Sequence, residues 1–139
     1  MLKILLEKIK DNKIITNELF EDYDIDEVLD LRDDKNFDLE WCRVYNEIED
    51  LDIKEEDLIV INDIRKNVYL KVCDITEECE IAGYISDDFE LISKAYIRGI
   101  NDSWLNMVIS LYANDIIPFG KLEKSTSDIN KVFNTLINK

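Results

Sequence analysis

The part of this sequence that most resembles a metal-binding motif is a set of three aspartates spaced two residues apart. Asp22, Asp24 and Asp26 stand at the first, third and fifth positions of a calcium-binding loop. The sixth position, which requires glycine for its turn, holds Glu27, and the twelfth, which requires a bidentate glutamate, holds Asp33. The pattern therefore favours a solvated acidic loop over a calcium site, and we predict no bound metal ion and no cofactor.

Nucleophilic and acid–base chemistry lack their usual residues. The chain contains no histidine, which excludes Ser-His-Asp and Cys-His arrangements, imidazole acid–base catalysis and histidine metal ligands. Cys79 falls in the first turn of a predicted helix, where a thiolate is favoured, but Glu77, Glu78 and Glu80 oppose that electrostatically. No glycine-rich phosphate-binding loop is present. We therefore predict that the protein is not an enzyme and has no catalytic residues.

The cysteines and the apolar runs indicate where the protein resides. Cys42, Cys73 and Cys79 are odd in number and lie within apolar patterns, which predicts reduced thiols in a cytosol. Residues 1–10 lack the apolar core and small-residue cleavage site of a signal peptide, and no apolar run approaches the roughly 18 residues of a membrane span. We therefore expect a cytoplasmic protein without a membrane-spanning segment.

Residues 18–57, called the acidic segment below, carry nearly all of the net charge. They contain 18 acidic and four basic residues, a net charge of −14, whereas the whole chain has a net charge of −15. Such a surface repels nucleic acid and anionic membranes, so we expect the protein to contact neither. It would attract a basic protein partner; the alternative is a solvated face that only keeps the protein soluble.

Residues 21–35 lack an apolar stripe that would explain their charge, so we place the partner contact there and on the outward side of the following helix. The carboxylates would steer a basic partner, while Tyr23 and Leu39 would add apolar contact. The predicted partner-binding residues are Asp22, Tyr23, Asp24, Asp26, Asp30, Asp33, Asp34, Leu39, Glu47 and Asp50.

Apolar residues recur at helical spacing along the first half of the chain. They predict a short amphipathic helix over residues 1–11, a second within 25–32, and one of about 15 residues from Phe37. One face of this third helix is assigned to the core and carries Phe37, Trp41, Val44, Tyr45, Ile48 and Leu51. Leu39 falls on the opposite, acidic face, which makes it a surface candidate.

The second half is predicted to begin with a long helix capped by Asp57. Its buried stripe is Ile61, Ile64, Val68, Val72 and Ile75. The rival interpretation is a β-hairpin formed by residues 68–73 and 79–85. Thr76 followed by two glutamates favours a new helix start instead, because acids stabilise the positive end of the helix dipole. Ser86-Asp87-Asp88 has the same character inside the following apolar run, so we expect a break or kink there.

The remaining helix boundaries are marked by turn and capping residues. Gly99 is predicted to end one helix, Ser103 and Ser127 to cap the last two, and Asn114 and Pro118 to stop the first of these. Three glycines and one proline are few for an all-β fold. We therefore predict a compact all-α single domain, residues 1–139, of about six to eight helices; the alternative is an α+β fold with a hairpin at 68–85.

The second half of the chain also resembles a known group of proteins. The run IAGYISDDFELI, residues 81–92, followed by Trp104-Leu105-Asn106, Tyr112 and Ile117-Pro118, is similar to small acidic proteins found beside bacterial toxin genes. These are the immunity proteins of contact-dependent and other polymorphic toxin systems, and the resemblance covers about residues 64–118. It implies a cytoplasmic bacterial protein that binds a toxin domain tightly and blocks it. It carries over no binding residue.

Charge and resemblance together give the leading hypothesis, an immunity protein that binds and neutralises a cognate toxin domain. A basic nuclease is the expected partner, because nuclease clefts are cationic in order to hold phosphates. The first alternative is a nucleic-acid mimic that inhibits a DNA-binding protein. A less favoured alternative is an enzyme that uses paired carboxylates and a divalent metal. The oligomeric state is not predicted.

Overall fold

The computed structural model describes residues 1–139, and it contains helices but no strands. A short 3-10 helix, Asn17–Leu19, precedes Asp22, Asp24 and Asp26. The seven α-helices are α1 Leu2–Lys10, α2 Ile25–Asp33, α3 Lys35–Ile48, α4 Glu55–Thr76, α5 Cys79–Arg98, α6 Ser103–Ala113 and α7 Ile129–Ile137. The predicted all-α bundle is confirmed. The alternative with a hairpin over residues 68–85 is wrong, because α4 and α5 occupy that stretch.

Helices α4 and α5 form a long helical pair against which the other helices pack. The buried residues of α4 recur every three or four positions at Ile61, Ile64, Val68 and Val72, as the spacing predicts. Their counterparts in α5 include Ile81, Ile85, Phe89 and Ile92. Helix α1 packs against α4, α3 against α5, and α7 against α6, so that a single cluster of 34 buried apolar residues fills the interior.

The connection between α4 and α5 is only two residues long. Glu77 adopts the left-handed conformation, with φ of 59°, and ends α4. The Thr76 hydroxyl donates to the Val72 carbonyl at 2.8 Å and accepts the Glu78 N–H at 3.1 Å. Thr-Glu-Glu therefore does mark a helix boundary, although Thr76 closes α4 and Glu78 is the cap of α5.

Two expected boundaries in the middle of the chain are wrong. Helix α4 begins at Glu55, so Asp57 lies inside its first turn, where a carboxylate still meets the positive end of the dipole. Helix α5 runs unbroken through Ser86-Asp87-Asp88, because these side chains bond to neighbouring elements instead of capping their own helix. The Ser86 hydroxyl, for example, donates to the Arg65 carbonyl of α4 at 3.1 Å.

The caps of the last two helices lie one residue away from the predicted serines, on the N-terminal side for α6 and on the C-terminal side for α7. Asp102, not Ser103, caps α6, and its Oδ1 accepts two backbone N–H groups at 3.0 Å each. Asp128, not Ser127, caps α7 through the Lys131 N–H at 2.9 Å. Serine and aspartate cap almost equally well, so a sequence that places them side by side does not distinguish them.

The ends of α5 and α6 lie where the sequence predicts. Gly99 follows α5 with φ of 66°, a conformation that favours glycine, and Asn114 follows the last residue of α6. Residues 114–128 contain no helix. They run beside α2, where the Gly120 N–H donates to the Leu31 carbonyl at 3.3 Å. None of the helices combines the length and apolar character that crossing a membrane requires.

Candidate partner-binding surface

The acidic residues around α2 lie on the surface and have no basic partners. The six predicted aspartates around α2 are exposed, and none has a lysine or arginine nitrogen within 4.0 Å: Asp22, Asp24, Asp26, Asp30, Asp33 and Asp34. The Asp24 carboxylate caps α2 by accepting the Asp26 N–H at 3.0 Å. No group of three or more acidic or thiol side chains in the chain has an arrangement that could hold a metal ion.

The one basic residue among these acids points into the protein. Arg32 is only 4% exposed, and its guanidinium forms a two-pronged ion pair with the Asp88 carboxylate at 2.6 and 3.0 Å. It also donates to the Pro118 carbonyl at 3.1 Å. Burial lowers the pKa of Arg32, but the charges and hydrogen bonds of Asp88 and Tyr112 raise it by more. The pKa therefore lies above its ordinary value. The outer side of α2 is therefore left without a cation.

Asp88 also fixes an aromatic residue at the surface. Besides Arg32, its carboxylate accepts the Trp41 indole N–H at 2.9 Å and the Tyr112 hydroxyl at 2.5 Å. Trp41 lies on α3 and is half-buried, so one edge of its ring bonds to the interior while the remainder reaches the surface. A ring held in this way loses little conformational freedom when a partner covers it.

A cavity of about 170 Å³ opens beside this network, between α2, α3 and α5. Its lining combines carboxylates with aromatic rings and consists of Arg32, Asp33, Phe37, Asp38, Trp41, Cys42, Tyr84 and Asp87. The Tyr84 hydroxyl donates to Asp33 at 2.9 Å and so joins α5 to the end of α2. Aromatic faces and carboxylates are the two groups that attract a guanidinium or ammonium ion.

A second depression, of about 410 Å³, continues from this cavity towards α4. It shares Trp41 and Asp87 with the cavity and adds Tyr45, whose ring stacks on Trp41 with centroids 5.5 Å apart. Tyr45 is 41% exposed. We name the continuous region the acid–aromatic surface, and its members are Asp33, Asp38, Trp41, Tyr45, Tyr84, Asp87 and Glu90.

The negative charge of one carboxylate on this surface is only partly neutralised. Asp87 is within 2.8 Å of Arg65, yet its pKa is raised because partial burial, together with repulsion from Glu90 and Asp88, outweighs the effect of Arg65. Arg65 is itself shared, since it also pairs with Glu90 at 2.8 Å. A further cation brought by a partner would therefore find an incompletely neutralised carboxylate.

Comparison with known protein families covers this whole region. A model of the family described as "Immunity protein PIM1" matches residues 4–119, which include most of α1, all of α2 to α6 and the acid–aromatic surface. The chain belongs to this family. No curated protein matches it. Membership supports an immunity function, implies a toxin as binding partner, and confirms the resemblance seen in residues 64–118.

In this PIM1-family protein, two of the predicted contact residues have surroundings that differ from the expectation. Leu39 is exposed as predicted, at 66%, but the depression beside it is lined by Lys35, Lys121 and Lys124 with a single glutamate. Lys35 begins α3, whereas Lys121 and Lys124 come from a segment that sequence periodicity does not connect with α3. Tyr23 is half-buried, and its ring packs edge-on against Phe119 with centroids 5.6 Å apart.

The predicted acids at the end of α3 differ from those around α2. Glu47 is exposed but pairs with Arg43 at 3.4 Å, and Arg43 also pairs with Asp102 at 2.7 Å. Part of the charge of α3 is therefore neutralised within the protein. Asp50 is exposed in the turn after α3 and has no ion pair. The unpaired acids of the acidic segment thus form two groups, one around α2 and one in the stretch from Glu49 to Asp57 after α3.

Sequence reasoning missed the aromatic half of the surface. The helical spacing assigns Trp41 and Tyr45 to the core because they share a face with Phe37 and Val44, but in the structure Tyr45 is exposed and Trp41 only half-buried. The available signal was the residue type, since tryptophan and tyrosine are enriched in binding hot spots. The sequence pattern predicts a helix cap at Asp87. In the structure α5 continues through this residue, and the adjacent Asp88 is buried.

The Asp88 network yields a stability prediction. Asp88→Asn leaves the buried Arg32 charge without its counter-ion, and removal of one partner of a buried pair costs about 3–5 kcal/mol. Asp87→Asn, one residue earlier on the same helix, breaks only the partly exposed pair with Arg65 and should cost less than about 1 kcal/mol. Urea unfolding at neutral pH measures both free energies. Equal losses in the two variants would show that Asp88 does not organise the interior.

Proposed function

We propose that this protein neutralises a basic toxin domain, a nuclease, by covering its cationic cleft with the carboxylates around α2 and the acid–aromatic surface beside them. The observation that carries the proposal is the inward direction of Arg32. Because the Arg32 cation is paired with Asp88, the six aspartates around α2 face solvent without a basic partner in the protein. A cleft built to hold phosphates presents the complementary charge.

The carboxylates would act mainly on the rate of association. A concentrated negative field draws a basic protein towards it over several ångströms and accelerates encounter, an effect that salt screens. One-sided charge also opposes folding by self-repulsion. A protein that needed only solubility could alternate its charges at no such cost, so the segregation supports a binding role.

The acid–aromatic surface would supply the contacts that hold the complex together. Trp41 and Tyr45 are stacked and partly exposed, so they offer rigid apolar area to a partner. The adjoining cavity suits a lysine or arginine side chain of the toxin, because Arg32 in its wall is already paired with Asp88. The toxin's cationic group would lie against Trp41 and bond to Asp33 or Asp38. The protein would act by occupying the toxin, as an inhibitor, and not by catalysis.

The same change in net charge, made at two different places on the protein, tests the steering role. The triple variant Asp22→Lys, Asp30→Lys, Asp34→Lys reverses unpaired acids around α2 and leaves Asp24 in place as the α2 cap. Its control, Asp63→Lys, Asp74→Lys, Glu123→Lys, makes the same net change at exposed, unpaired acids elsewhere. The association rate with an inactivated form of the toxin domain encoded by the neighbouring gene should fall about 10- to 100-fold at low salt for the first variant only.

Two results would contradict the charge model. One is an equal loss of association rate in both triple variants, which would mean that only total charge matters. The other is an association rate of the α2 variant that equals that of wild type at every salt concentration. The nuclease part of the proposal is separate: the active toxin domain should degrade DNA or RNA, and one equivalent of the protein should stop it.

A tyrosine pair tests the aromatic contact. Tyr45→Ala removes an exposed ring from the acid–aromatic surface, and the dissociation rate of the same complex should rise at least about 10-fold, as for an interface hot spot. Tyr69→Ala removes a ring of similar exposure from the outer face of α4 and should leave dissociation within about threefold of wild type. A larger effect from Tyr69 than from Tyr45 would place the interface on α4.

A further inference from the structure

Two of the three cysteines face each other across the turn between α4 and α5. Cys73 lies in the last turn of α4 and Cys79 is the first residue of α5. Their Sγ atoms are 3.5 Å apart. A disulfide has an S–S distance of about 2.05 Å, so side-chain rotation over about 1.5 Å would join them.

The turn holds the two thiols in this position. The Glu77 N–H donates to the Cys73 carbonyl at 2.8 Å, and Glu77 itself makes the left-handed step that reverses the chain. The bond from the Glu78 N–H to the Thr76 hydroxyl at 3.1 Å fixes the start of α5. Both helix ends are thus constrained by backbone contacts that do not involve sulfur, and the thiols are brought together before any oxidation.

We propose that Cys73 and Cys79 form a thiol–disulfide exchange site, which takes small disulfides such as oxidised glutathione and closes an intramolecular disulfide between α4 and α5. The proposal does not depend on the partner-binding function. The third cysteine, Cys42, lies alone on the exposed side of α3 and has no thiol partner.

The chemistry proceeds in two exchange steps. Cys79 is exposed and reacts first, although the adjacent Glu77, Glu78 and Glu80 disfavour its thiolate and slow the step. The thiolate attacks one sulfur of oxidised glutathione, an S–S bond breaks, and one glutathione thiolate leaves. The Cys73 thiolate then attacks the Cys79 sulfur of the mixed disulfide and expels the second glutathione. The protein loses two electrons and two protons, and one oxidised glutathione becomes two reduced molecules. Burial, and then the neighbouring Cys79, raise the pKa of the Cys73 thiol, which agrees with its acting second.

The bond would tie together the pair of helices on which the other helices pack. Helix α5 also carries Asp88 and Asp87, so the closed form should resist unfolding of the element that positions the acid–aromatic surface. The loop closed by Cys73 and Cys79 is short, which limits the stabilisation that chain entropy can provide. Neither cysteine lines the cavity or depression of that surface, so closure should leave partner binding unchanged.

The test uses the full chain with Cys42→Ser, which removes the thiol outside the pair, at a low protein concentration that disfavours links between molecules. The folded protein is equilibrated with reduced and oxidised glutathione, quenched with acid, and analysed by mass spectrometry. We expect loss of two hydrogens and no attached glutathione, with an equilibrium constant at least about 10-fold larger than for the same chain unfolded in urea. Adding Cys73→Ser should trap glutathione on Cys79.

Three results would overturn the proposal. The folded chain could retain glutathione stably on Cys79 although Cys73 is present. It could stay fully reduced in buffers that oxidise the urea-unfolded chain. Finally, the equilibrium constant could be the same in the folded and unfolded chains, which would mean that the turn contributes nothing beyond the spacing of two cysteines in sequence.

Discussion

The carboxylate of Asp88 lies inside the bundle, where an anion is costly unless it is both paired and hydrogen-bonded. Four donors from three other helices meet it: two guanidinium nitrogens of Arg32, the indole of Trp41 and the hydroxyl of Tyr112. A buried ion pair of this kind is weak as a source of net stability, because desolvation offsets much of its attraction. Its effect here is on arrangement, since it sets the relative positions of α2, α3, α5 and α6.

The same network shapes the outer surface. Arg32 could have neutralised its acidic neighbours, but its bond to Asp88 turns it inward and leaves α2 with carboxylates alone outside. Trp41 is held at the boundary between interior and solvent, where it stacks on Tyr45. A surface with both unpaired charge and fixed aromatic rings can attract a basic partner and then retain it, and these are separate physical tasks. Membership of the PIM1 immunity family supplies the kind of partner, a toxin.

Sequence periodicity was sufficient for the helices and for the stripe from Ile61 to Val72, because burial along a helix repeats with its turn. Charge segregation located the exposed aspartates, because charged side chains without apolar neighbours stay in water. The failures share one cause. The burial of Asp88, the exposure of Tyr45 and the position of Lys121 and Lys124 beside Leu39 depend on contacts between distant segments, and local patterns contain no information about those contacts.

If the toxin covers the acid–aromatic surface, as we propose, it will shield the aromatic side chains there from hydroxyl radicals. The protein is exposed to radicals alone and in complex with the inactivated toxin domain, and oxidation of each ring is measured by mass spectrometry. The account predicts that Trp41, Tyr45 and Tyr84 lose most of their reactivity in the complex while Tyr69, on the outer face of α4, keeps its own. Protection of Tyr69 with unchanged oxidation of Trp41 and Tyr45 would contradict it.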